Sequence, residues 1–145
     1  MLLRFRADVI NLKPAIVVIL AGANDITGNT GPSTLEMITD NIFSMAELAK
    51  ANQIKVILCS VLPAFDFPWA TGLQPAEKIV TLNKTIKQYA DANGILYLDY
   101  YSAMVNEHQG LKSNYADDGV HPNKTGCEVM NLLVEKAIKK TLSNH

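Results

Sequence analysis

Three short, unbroken apolar runs rich in β-branched residues leave this chain few ways to fold. They are Ala15 to Ala21, Ile54 to Val61 and Ile95 to Asp99. A strand with one face in water alternates apolar and polar residues, whereas an unbroken run suits a strand covered on both faces, as in a parallel sheet. Between the runs lie segments with helical spacing. Strands alternating with helices imply crossover units, so the pattern predicts an α/β fold: a three-layer α/β/α arrangement around a doubly wound parallel sheet.

The first crossover helix is predicted to open at Ser33-Thr34-Leu35-Glu36, read as a capping box with Ser33 as the cap, and to bury Leu35, Ile38, Ile42, Met45 and Ala49. The second spans about Pro75 to Asn93, with Ile79, Leu82, Ile86 and Tyr89 on one face and Gly94 as its left-handed stop. A last helix starts near Pro122 or Asn123 and runs towards Thr141, with Met130, Leu133, Val134, Ala137 and Ile138 as its apolar stripe. Residues Leu3 to Leu12 read as one more helix before Pro14. With no repeat, low-complexity tract or linker, the 145 residues form a single domain, 1–145.

Composition removes several functions. A net charge of -1 and the lack of a basic, aromatic-interleaved stripe argue against nucleic acid as a partner. No apolar run reaches the ~20 residues of a membrane span. The opening Met1 to Arg6 has no long apolar core or small-residue cleavage site and does not read as a signal peptide, which leaves the compartment open. Two cysteines, Cys59 and Cys127, build no disulfide framework and are expected to be buried thiols. No Gly-x-Gly-x-x-Gly or P-loop follows any strand, which disfavours a nucleotide-binding domain, and no cofactor is called for.

In open α/β sheets, ligands bind beyond the carboxyl ends of the strands. The first strand ends in Gly22-Ala23-Asn24-Asp25, where Gly22 permits a tight turn and Asn24 is either a turn former or a side-chain donor to a developing oxyanion. Further on, Asp117-Asp118-Gly119-Val120-His121-Pro122-Asn123 sets a carboxylate three residues before a histidine. Alone, that loop could simply cap a helix; in serine hydrolysis, the same pair would hold and charge a general base. A metal site from Asp117, Asp118, His121 and His108 lacks a supporting ligand pair, and the metal assignment is none. In the loop after the second strand, Leu62, Pro63, Phe65 and Trp69 stand where an acyl or sugar platform would lie, or else the aromatics of the Pro63 to Pro75 stretch, Phe65, Phe67 and Trp69, tuck onto a neighbouring helix.

Taken together, Gly-x-Asn-Asp after a buried strand and Asp-Gly-Val-His-Pro-Asn before a final helix closely resemble the SGNH hydrolases, the GDSL-type lipases or acylhydrolases. The likeness runs from Asp8-Val9-Ile10 and Lys13-Pro14 through the last helix. It implies a flavodoxin-like sheet, an ester substrate, Asn24 in the oxyanion hole, and Asp118 and His121 as catalytic acid and base. Gly22, Pro63, Phe65, Trp69 and Val120 are the expected substrate contacts. The family's Gly-Asp-Ser block and its second-block Gly have no counterpart here, and of the six serines only Ser60, at a strand end, merits consideration as a nucleophile. The chain is therefore expected to lack a first strand-helix-strand portion, to be almost inactive alone, and to expose a sheet edge at Ala15 to Ala21 that invites a homodimer. A non-catalytic ligand- or protein-binding module on the same fold is the alternative.

Overall fold

The computed structural model of the chain describes residues 1–29 and 31–143. Three parallel strands make one sheet in the order β1 (Ile16–Ile19), β2 (Lys55–Cys59), β3 (Leu96–Leu98). The register pairs Ile19 with Leu58 and Cys59 with Leu98, which brings all three carboxyl ends to the same edge. The six helices described are α1 (Phe5–Asp8), α2 (Ala23–Ile26), α3 (Leu35–Ala51), α4 (Pro75–Ala92), α5 (Tyr100–Met104) and α6 (Lys124–Ser143).

The three layers follow from the alternation of side chains along β2. Val56 and Leu58 join one apolar cluster with Ile38, Ile42 and Met45 of α3 and Ile79, Leu82 and Ile86 of α4. Ile57 and Cys59, pointing the other way, join a second cluster with Leu98, Met104 and Ala137, against which the α6 stripe of Met130, Leu133, Val134 and Ile138 packs. Helices on both faces explain why the strand sequences are continuous rather than alternating. This is the expected doubly wound α/β fold.

Several boundaries moved. The cap of α3 is Thr34, whose hydroxyl accepts from the Met37 amide at 3.1 Å, and Ser33 instead donates to the Gly31 carbonyl at 3.5 Å. Glu36 is thus one position too early to close a box with this cap. The Leu3 to Leu12 helix is broken: a 3-10 turn at Leu2–Arg4, α1, and a second 3-10 turn at Ile10–Leu12. Only Phe5 and Ile10 are buried there, too few for a continuous stripe, and Lys13 takes a left-handed conformation before Pro14. Helix α4 matches its expected span, and Gly94 follows it at φ 63. Cys127 is exposed, contrary to expectation, because it lies on the solvent side of α6; Cys59 is buried.

Candidate active site

The loop between Asn114 and α6 is closed mainly by its own hydrogen bonds. Ala116 and Pro122 pair as an antiparallel bridge, and the Asn123 amide N–H donates to the Tyr115 carbonyl at 2.8 Å. The Asn123 side chain donates to Asp117 Oδ1 at 3.1 Å and to the Asn114 carbonyl at 3.3 Å, while its oxygen accepts from the Gly126 amide and so caps α6. Helix α6 approaches the loop closely at Gly126, where an added Cβ would lie 2.5 Å from the Tyr115 carbonyl oxygen.

Within this frame Asp118 and His121 meet. His121 Nδ1 lies 2.6 Å from Asp118 Oδ2, and Asp118 Oδ1 accepts the backbone amides of Val120 at 2.9 Å and His121 at 2.7 Å. The imidazole bond first, and the two amides after it, hold the Asp118 carboxyl well below the usual carboxylate range. An ionised carboxylate can only accept, so Nδ1 carries the shared proton and the neutral ring presents its free lone pair at Nε2. The imidazole is open to solvent, with 71% of its side chain exposed.

The segment after β2 reaches the same ring. Asn83, buried on α4, accepts the Val61 amide at 2.7 Å and donates to the Val61 carbonyl at 2.9 Å, fixing the chain as it leaves the strand. The Asp66 carboxylate then accepts the amides of Phe67 and Gly72, closing a loop around Trp69. Phe67 is buried and stacks on Trp69 at 5.5 Å between centroids; Trp69 in turn stacks on His121 at 5.4 Å, the planes 27° apart. Phe65 is exposed and borders a cleft of about 290 Å³ shared with Asp66, Phe67, Leu111, Asp118 and Gly119.

Not every expected contact residue faces solvent. Pro63 is fully buried, so it packs the loop base and has no surface to offer a ligand. Val120 is half-buried against the α3–α4 cluster. Gly22, at φ 113, has no room for a side chain: a Cβ would meet Leu82, Ile38 and Val61 at 3.0, 3.3 and 3.4 Å. Asn24 stands on α2 just beyond β1, at the carboxyl edge of the sheet, exposed, and its side-chain amide has no partner among the described residues. No hydrogen bond joins it to His121.

A family model of GDSL-like lipases and acylhydrolases matches residues 1–129. A GDSL-like lipase structure from Bacteroides thetaiotaomicron is 53% identical, with a TM-score of 0.93 over 96% of this chain and 69% of that one. A Bacteroides fragilis structure is 51% identical, with a TM-score of 0.94 over 97% of this chain and 69% of its own. The chain belongs to the GDSL-like lipase/acylhydrolase family. Among curated proteins, an acetylxylan esterase of Xylanibacter ruminicola is 27% identical over 91% of this chain, which spans 30% of that relative's length.

Within this GDSL-family chain, Ser60 is already committed to structure. It is fully buried, and its hydroxyl oxygen accepts the Tyr101 amide at 2.8 Å. Among the described residues no three His, Cys, Asp or Glu side chains converge as a metal cage, and His108 stands beside its neighbour Glu107. Two supports of the site, Asn83 and Asp66, escaped the sequence reading. An Asn on an amphipathic helix reads as a solvent residue, and an Asp beside prolines reads as an ordinary turn; only a position on the buried stripe, one residue after Leu82, hinted at Asn83.

Proposed function

We propose that the chain supplies the acid–base and oxyanion-binding parts of a serine acylhydrolase site acting on a small carboxylic ester. The observation that carries this is the 2.6 Å contact between His121 Nδ1 and an Asp118 carboxylate locked by two backbone amides. That geometry suits a general base better than a cap, since the imidazole itself satisfies no backbone group. A serine hydroxyl delivered to Nε2 would lose its proton there as its oxygen bonds the ester carbonyl carbon. The imidazolium, steadied by Asp118, would return the proton to the leaving alcohol, and water would repeat the cycle on the acyl-enzyme. Asn24 would donate to the oxyanion in each tetrahedral intermediate.

The serine belongs, in this reading, to a Gly-Asp-Ser segment of a strand-helix-strand portion completing the single domain. Its place is beside β1. A sugar acetate is the preferred substrate class: exposed Phe65 offers a flat apolar face of the kind sugar rings stack on, and the curated relative is an acetylxylan esterase. A non-catalytic binding module draws its support from Ser60, which is consumed by the fold.

The experiment compares this chain alone with the chain preceded by a Gly-Asp-Ser-bearing portion, using aryl acetate hydrolysis and fluorophosphonate labelling. The completed protein should turn over and label, and the chain alone should do neither. His121→Gln in the completed protein should lower turnover by about 10⁴-fold or more. Asn24→Ala should cost about 10²- to 10³-fold in kcat. A completed, folded protein that neither labels nor hydrolyses, while binding acetylated oligosaccharide, would favour the binding module.

A further inference from the structure

We infer that Trp69 is a positioning residue for His121, its indole face fixing the plane of the imidazole that the Asp118 bond alone leaves free to pivot. A single hydrogen bond fixes the Nδ1 atom and lets the ring swing about it, and with 71% of the side chain exposed little else constrains that swing. The indole supplies the second constraint, with centroids 5.4 Å apart and planes 27° apart, the offset arrangement that aromatic pairs prefer. Two constraints determine where Nε2 points.

Trp69 can hold the ring because it is itself held. It stacks on Phe67, which is only 1% exposed, and the Asp66 carboxylate ties the amides of Phe67 and Gly72 across the loop that carries it. The base of the loop is anchored in the core by the paired hydrogen bonds of Asn83 to Val61. A continuous line of fixed groups therefore runs from the buried face of α4 to the imidazole. A misplaced general base costs far more than the contact energy of one ring pair, because proton transfer depends steeply on geometry.

The purpose of the ring rests on the acylhydrolase reading; the contact does not, and both measurements below need no ester. Trp69 is the sole tryptophan, so its emission reports its own neighbour. Protonated imidazole quenches a contacting indole, so emission should fall as the pH is lowered through histidine titration and stay flat in His121→Gln. A titration that persists in His121→Gln, or is missing from the parent, overturns the contact. The second measurement takes imidazole ¹⁵N shifts of the neutral ring. The Asp118 bond sets the Nδ1–H tautomer in the parent, and a ring that swings about Nδ1 turns its N–H out of line with Oδ2, so Trp69→Ala and Trp69→Leu should lower the ratio of that tautomer to the other by about two- to tenfold, the range an aromatic pair sets. Trp69→Phe should restore it. A ratio unchanged in the Ala and Leu variants, or lost equally in Phe, reduces Trp69 to loop packing and sinks the proposal. A retained signature in a completed protein without hydrolysis would instead sink only the function proposed above.

Discussion

Because Asp118 accepts from the imidazole and from two backbone amides, its ionisation is linked to the conformation of its loop. Its folded-state pKa is depressed below the unfolded value of about 3.9. Stability from such a group is complete above the unfolded value and is lost as pH falls through the folded one. Chemical denaturation of the parent and Asp118→Asn should therefore differ most above pH ~4 and converge in stronger acid. A constant difference across the acid range would contradict the linkage. The two thiols should also separate cleanly. Burial pushes the Cys59 thiol up to about 12, whereas Cys127 is exposed. Native alkylation at neutral pH should place one adduct, on Cys127, with Cys59 reacting only after unfolding, as peptide mass spectrometry would read.

At the scale of elements, the site hangs on two joints. Asn83→Ala would leave the buried Val61 N–H and C=O without partners, a loss of about 2 to 4 kcal/mol for two unsatisfied groups. Urea unfolding checks the size, and loss of the Trp69–His121 fluorescence titration would show the loop released. Gly126→Ala tests the other joint. Helix propensity favours alanine by about 1 kcal/mol. The added carbon would nevertheless sit 2.5 Å from a backbone carbonyl that also accepts the Asn123 amide, and overpacking costs of about 1 to 3 kcal/mol should win. A more stable Gly126→Ala would show that α6 can shift away from Tyr115.

The same scale shows what the sequence could reveal. The strands were legible to within a residue or two because apolar runs report burial directly, and α4 because its stripe, its first-turn proline and its terminal Gly94 agree. Competing caps were not: Ser33 and Thr34 are chemically alike, and only backbone geometry, with Thr34 extended at ψ 159, decides which hydroxyl meets an amide. The Asp118–His121 pair was legible because both members sit in one loop. The Trp69 stack was not, since more than fifty residues separate it from His121 and ring contacts leave no periodic trace.

For the whole molecule, the exposed flank of the sheet matters most. Strand β1 pairs with β2 alone among the described strands, and Val18 and Leu20 are 37% and 36% exposed. An unpaired apolar edge recruits another strand. At high concentration this chain should show by light scattering a mass above the monomer's, and Val18→Lys should return it to one copy; an unvarying monomer would count against pairing at this edge.

The hydrogen bonds that close residues 114–123 and join Asp118 to His121 come almost wholly from within that stretch and the first turn of α6. The contact between Asp118 and His121 is thus set almost entirely by local chain geometry, and what the distant loop adds through Trp69 is the plane of the ring. Contact and aim are therefore separable: a graft of this stretch onto another sheet edge would carry the bond between Asp118 and His121 along with it, and would need an aromatic neighbour of its own to orient the imidazole.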